Sequence, residues 1–277
     1  MLFRSGNASI RTDDTKIYAA LGVTLNGNIT LPVKPGLVNG KLALLDGEIT
    51  TAPGAINSTK YTNYAIATQT ITIPTYTEIK QQSFTVAATP VTYDISQKPS
   101  NSAADWNSKF PTAGTSSNPT VVKIINGNFN LPPNINLSNY IIIVENGNIN
   151  LNQGNPVLNN VTLIANNGNI NFNSVNATNL KLSASGNINF TGNTQLGGIS
   201  TVNSNGNTTC SGNTQMTATS QVKIVSQGDV SVSGNTTLRG QILTKKSLSM
   251  SGSTTLVGSI DALGDVTISG NSTITAG

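Results

Sequence analysis

Glu145, Asp229, Asp261 and Asp265 are the only carboxylates between residues 121 and 277, and the whole chain contains no histidine. Those two facts bound the chemistry. A glycosidase needs a facing pair of carboxyl groups, and a polysaccharide lyase needs clustered carboxylates, or a carboxylate-bound metal, with a basic residue to accept the proton. Asp229 and Asp265 fall in one sequence column two repeats apart, which a strand spacing of about 4.8 Å converts to about 10 Å. Their neighbours in that column are asparagines, so a structural ladder explains them without catalysis. The absence of imidazole excludes Ser-His-Asp and Cys-His catalysis and removes the usual metal ligand. Cys210 is the only cysteine. It forms no intrachain disulfide, lacks a base to activate it, and reads as a small buried apolar residue. The Gly-x-Ser-x-Gly elbow, the Walker loop and the calcium-binding nonapeptide are all missing. The chain is therefore expected to be non-catalytic, with no cofactor and no metal site.

Candidate binding residues come from charge and aromatic placement. The net charge is +4, and the fifteen basic residues form no dense run. Arg239, Lys245 and Lys246 are the nearest thing to a cluster and would suit an acidic polysaccharide. A solvated turn is the plainer reading. Trp106, the only tryptophan, lies in the same stretch as Tyr61, Tyr64, Tyr76 and Tyr93. Aromatics there suit sugar stacking, and they equally suit packing of an insert against a scaffold. Nucleic-acid binding would want a basic stripe with aromatics or a known module, and neither is present. No run of about 20 apolar residues is present to span a membrane. The expected partners are a polysaccharide or a host cell-surface ligand, together with end-to-end self-association.

The elements that would hold these residues follow from a repeat. A Gly-Asn or Gly-Asp step falls at Gly127-Asn128, Gly147-Asn148, Gly168-Asn169, Gly186-Asn187, Gly206-Asn207, Gly228-Asp229 and Gly264-Asp265, with Lys246-Ser247 between the last two. Successive steps are 18–22 residues apart, the mark of a repeat architecture. After each step two inward positions follow with period two. The first column reads Phe129, Ile149, Ile170, Ile188, Thr208, Val230, Leu248, Val266, and the second Leu131, Leu151, Phe172, Phe190, Cys210, Val232, Met250, Ile268. That alternation is a half-buried strand, not a helix. A second strand opens at Asn193, Asn213, Asn235, Ser253 and Asn271, with Leu196, Met216, Leu238, Leu256 and Ile274 facing inward. A third apolar cluster recurs at Val161/Leu163, Leu180/Leu182, Val222/Ile224, Ile242 and Ile260.

Three short strands per coil predict an all-β, right-handed parallel β-helix with coils of about 20 residues and one irregular insert. The column Asn128, Asn148, Asn169, Asn187, Asn207, Asp229, Asp265 is expected to form a structural ladder along the stack. Glycine and asparagine in the step are expected to supply left-handed corners. Eight coils would give a rod of about 38 Å. Weak charge and few aromatics fit a core only a few side chains wide.

The division expected is N-terminal β-helix coils in 1–60, an insert of strands and loop in 61–120, and the main parallel β-helix in 121–277. The early coils rest on Gly6-Asn7, Gly27-Asn28 and Gly47-Glu48. Residues 64–95 alternate in a strand-like way, and Ala103–Lys109 is the helix candidate. The C-terminal coil has no capping helix, so its strand edge is expected to be bare, cut from a longer chain or built to stack on a partner.

The runs Val161–Phe172 and Leu180–Phe190 resemble the repeats of filamentous-haemagglutinin-like adhesins. The stretch Gly258–Asn271 resembles the β-helical C-terminal region of pilus-associated, PilX-like proteins. The likeness covers about residues 121–277 and implies a bacterial cell-surface or extracellular location, with no catalytic motif to carry over. The expected function is a surface or secreted β-helical rod, an adhesin stalk or pilus-associated structural module. A polysaccharide-active β-helix enzyme and a self-assembling filament subunit are the alternatives.

Overall fold

The computed structural model describes residues 72–83, 89–94 and 109–275, together with the backbone of six strands between Asn7 and Asn57. It is almost entirely β, with parallel sheets stacked as a solenoid of about eight turns and coils of roughly 20 residues. Both apolar columns line up in register. Ile149 pairs with Ile170, Ile170 with Ile188, Ile188 with Thr208 and Thr208 with Val230. Leu248 then pairs with Val266. Phe172 and Phe190 stack face to face at 5.0 Å between ring centres. Thr208, the polar residue in the first column, is fully buried and is satisfied by the Ser204 hydroxyl at 2.7 Å.

The three strand segments per coil form two sheets, not three. The strands after the Gly-Asn step build a ten-stranded sheet, and the other two segments share one seventeen-stranded sheet. In Asn235–Thr244 and Ser253–Ala262 the two segments fuse into single ten-residue strands. Val157–Ala165 also runs through both segments, with a left-handed residue at Asn160 inside it, and in the next two coils Asn179 and Gly198 divide them. Asn160 and Asn179 have φ of 54° and 55°, and Gly198 has 62°. Polar side chains also enter the core at the segment openings. Thr194, Thr214, Thr236, Thr254 and Ser272 are buried. Several cap the turn behind them, as Thr236 does by donating to the Ser233 carbonyl at 2.8 Å.

The expected bare C-terminal edge is covered by the chain's own first coils. Ile17–Ala19 pairs in parallel with Ser253–Ala262, Gly22–Leu25 with Asp265–Ile268, and Asn7–Arg11 with Thr273–Thr275. Asn28–Thr30, Ile49–Thr51 and Ile56–Asn57 then add a further layer. The same period in both halves of the sequence lets the beginning of the chain continue the stack where its end stops.

That arrangement requires a return path, and the insert supplies it. Pro74 accepts a hydrogen bond from Gln227, the Tyr76 carbonyl from Asn203, and the Tyr76 hydroxyl from Ser183. Lys80 donates to Asn166. Val91–Tyr93 then pairs with Thr120–Ile124 at the opposite end of the stack. The residues therefore descend one flank of the rod. The strand-like reading of 64–95 is corrected for Tyr76–Ser83, which is an α-helix. Thr75 and Glu78 close its N-terminus reciprocally. The Glu78 amide donates to Thr75 Oγ1 at 3.2 Å, and the Thr75 amide donates to Glu78 Oε2 at 2.7 Å, a capping box. The helix candidate Ala103–Lys109 lies outside the described residues, apart from Lys109.

The strap explains a break in the strand alternation. Ser183, Asn203, Val225 and Leu243 share one outward column yet are buried. Ile73 and Ile79 pack on Val225 and Leu243, with Leu263 beside them. Lower down, Glu145 bridges Lys123 at 2.8 Å and accepts from Asn166 at 2.7 Å. Partial burial pulls the Glu145 carboxyl up, but Lys123, Asn166 and Lys80 together hold it below the usual range. At the base, Phe110 sits among Tyr93, Phe129 and Tyr140, and the Tyr140 hydroxyl donates to the Pro111 carbonyl at 2.7 Å. The first coil's core is thereby plugged.

Candidate binding groove

Two features of the rod could present chemistry: the ladder and a groove. In the ladder, each side-chain oxygen accepts the backbone N–H of the next coil. Asn148, Asn169, Asn187, Asn207 and Asp229 donate their amides to Asn128, Asn148, Asn169, Asn187 and Asn207 Oδ1 at 2.7–2.8 Å. The chain continues from Ser247 N–H to Asp229 Oδ1 at 3.0 Å and from Asp265 N–H to Ser247 Oγ at 3.1 Å. Only an acceptor oxygen on a short side chain is required, so Asp and Ser replace Asn without breaking the series. A second ladder runs amide to amide through Asn130, Asn150, Asn171 and Asn189 at 2.8–2.9 Å.

The step glycines are needed for a different reason from the expected one. From Gly168 onward they do not have positive φ. A Cβ at Gly228 would sit 2.7 Å from the Gly206 carbonyl group, and one at Gly264 would sit 2.7 Å from that of Lys246. Close approach of adjacent coils, not left-handed backbone, selects glycine there. The left-handed corners lie elsewhere, at Gly192, Gly212, Gly234, Gly252 and Gly270, with φ between 66° and 83°.

The groove follows from unequal coil lengths. The coil between Gly206 and Gly228 is 22 residues, and those after it are 18. The extra residues form the turn Thr217–Ser220, in which Thr217, Ala218 and Thr219 are exposed and the Ser220 amide donates to the Thr217 carbonyl. The Val222 position, which is buried, is occupied in the next two coils by Gly240 and Gly258, where a Cβ would fall on the carbonyl oxygen of the coil below. The result is a groove of 680 Å³ whose lining includes Ile199, Gln221, Lys223, Arg239, Gln241 and Ser259. Its charged lining residues are Lys223 and Arg239, and no carboxylate lines it. Ile199 is 72 % exposed at its edge.

The structure separates the basic residues that the sequence grouped. Arg239 lines the groove, whereas Lys245 lies on the strap flank, where its charge reaches Glu78. Lys246 stands next to it in the column of step glycines. Trp106, Tyr61 and Tyr64 lie outside the described residues. Tyr76 and Tyr93 are engaged in packing the strap and the base. Lys223, Gln221 and Gln241 were missed by the sequence reading. The signal was the jump from 22 to 18 residues combined with the paired Gly240 and Gly258.

The carboxylates are dispersed. Asp229 sits in the ladder, Asp261 Oδ2 accepts from Gln241 at 3.0 Å, and Glu145 is paired with Lys123. Among the described residues no three His, Cys, Asp or Glu side chains come together to hold a metal, and no helix is long and apolar enough to cross a membrane. Cys210 is 1 % exposed, and burial pushes its thiol up to about 12. A thiol reagent such as Ellman's is therefore expected to leave the native protein unmodified at pH 8 and to label one thiol per chain in denaturant. Rapid native labelling would show that the core column opens at Cys210.

No family model matches the chain, and neither a curated protein nor a solved structure matches it.

Proposed function

We propose that the chain is a non-catalytic rod, exposed on a bacterial cell surface or secreted, that serves as an adhesin stalk or pilus-associated structural module. The observation that carries this reading is the uninterrupted ladder from Asn128 to Asp265. Each coil is tied to the next by a side-chain-to-backbone hydrogen bond as well as by two parallel sheets. Such stacking resists bending and shear at each coil-to-coil interface, because the ladder bond and the bonds of both sheets must break there together. The dispersal of Glu145, Asp229 and Asp261 among structural partners supports a mechanical role over a hydrolytic one. A lyase or glycosidase would bring its carboxylates to one groove.

Purified protein incubated with a panel of acidic and neutral polysaccharides tests the reading. Retention on at least one of them, with chain length unchanged, is expected. Shortening of any polysaccharide would overturn the non-catalytic reading and direct attention to Asp229, Asp261 and Asp265.

A further inference from the structure

We propose that the groove over Gly240 and Gly258 binds an acidic glycan, with Arg239 and Lys223 receiving the sugar carboxylates. This deepens the adhesin reading and rests on it for the biological setting, but the site stands on its own geometry.

The register fixes the array. Val222 pairs with Gly240 and Lys223 with Gln241, and Arg239 lies two residues before Gln241 in the same strand. Two cations, Lys223 and Arg239, and two amides, Gln221 and Gln241, line one groove. Coil spacing of about 4.8 Å and a two-residue strand rise of about 6.7 Å put the two cations about 8 Å apart at Cα, along the diagonal. Thr201 and Ser259 extend the outward column on either side of Lys223 and Gln241. The surface is thus a strip of hydroxyl and amide groups with two positive charges, suited to sugar hydroxyls and carboxylates together.

Arg239 supplies the observation that points to a ligand. Its Nε is buried and has no hydrogen-bond partner. A buried donor on a charged group without a partner is costly, and turning the guanidinium onto an anion in the groove it lines would offset that cost. A guanidinium also offers a planar fork that matches a carboxylate in two parallel bonds. Asp261, the nearest carboxylate on that face, accepts from Gln241 and does not line the groove. Ile199 gives the groove an exposed apolar rim, against which the less polar face of a sugar ring can lie. Gly240 and Gly258 line the groove and contribute no side chain to it.

The ligand class is distinguished from its neutral counterpart by charge alone. The test is titration calorimetry of the full chain with a homo-oligomer of galacturonic acid and, separately, with the equivalent oligomer of neutral galactose. The acidic oligomer is expected to bind and the neutral one to bind at least tenfold more weakly. Added salt should weaken only the acidic interaction. Arg239→Lys keeps the charge but loses the fork, and should weaken binding roughly tenfold. Lys223→Gln, at an exposed position, should weaken it several-fold without changing the melting temperature. Equal binding of both oligomers would overturn the acidic-glycan assignment while leaving the adhesin reading standing. Binding lost in Lys245→Gln or Lys246→Gln but retained in Arg239→Lys would place the site on the strap flank and overturn the groove. Cleavage of either oligomer would instead defeat the non-catalytic reading.

Discussion

A chain beginning at residue 58 is expected to form concentration-dependent oligomers larger than any the whole chain forms. In the whole chain the strands Ser253–Ala262, Asp265–Ile268 and Thr273–Thr275 each pair with a strand from the first 57 residues. Removing that segment bares three parallel strand edges at once, each a template for pairing with another chain. The opposite end cannot substitute, because the base is plugged by Phe110 against Tyr93, Phe129 and Tyr140. Size-exclusion chromatography with light scattering over a range of concentrations checks this. A truncated chain that stays monodisperse at every concentration would mean that the first coils do not cover that edge.

The second large effect falls in the left-handed glycine column. Gly234 has φ of 79°, with Gly212 below it at 83° and Gly252 above it at 81°. A Cβ there would fall on the carbonyl oxygen of Gly212. Gly234→Ala therefore combines a left-handed backbone with overpacking, together about 3 kcal/mol of lost stability. Gly234→Asn separates the two causes. Asparagine tolerates left-handed backbone, as Asn139, Asn160 and Asn179 show with φ of 54°–59°. If backbone conformation were the whole reason, Gly234→Asn would be nearly neutral. Because adjacent coils are in contact, it is expected to lose at least about 2 kcal/mol. Urea unfolding midpoints of the three proteins decide between the causes.

The repeat itself was legible because a parallel stack places like residues over like. Phe172 over Phe190, and Val230 between Thr208 and Leu248, are visible as sequence columns and reappear as structural ones. Composition was misleading in one respect. Thr194, Thr236 and Thr254 read as strand openings on a polar surface, yet they are buried with their hydroxyls turned to local partners. Hydropathy cannot reveal that, because the partner is a backbone carbonyl for Thr194 and Thr236 and the Ser272 hydroxyl for Thr254.

The strap was less legible. Ile73 and Ile79 fit a period-two pattern as well as a helical one, and the deciding signal was Pro74-Thr75 followed by Glu78. That capping box outweighs weak alternation. Its docking line was also written in the strands, where Val225 and Leu243 break the polar outward column. An apolar residue on the wrong face of a strand marks a covering element. The covered C-terminal edge was the largest departure. The early repeats were recognisable, but nothing local in a sequence says whether such coils precede the stack or follow it. Only the return of the chain along the flank allows them to follow it. The groove escaped for a related reason. It depends on a difference in length between adjacent coils, whereas column reading attends to what coils share.

That the beginning of the chain continues the stack beyond its end is the claim on which the rest depends. A Ser9→Cys, Thr273→Cys protein tests it most directly. These residues are register partners in adjacent parallel strands, about 4.8 Å apart at Cα and so within disulfide range. Buried Cys210 stays out of the reaction. Mild oxidation of the native protein, resolved on a non-reducing gel, should give a single intrachain disulfide between the two introduced cysteines in a monomer, and a mixture that includes Cys210 when oxidation is done in denaturant. Interchain dimers alone would mean that the first coils stack on a second copy, as a filament subunit would, and no disulfide at all would mean that they do not stack on the C-terminal edge.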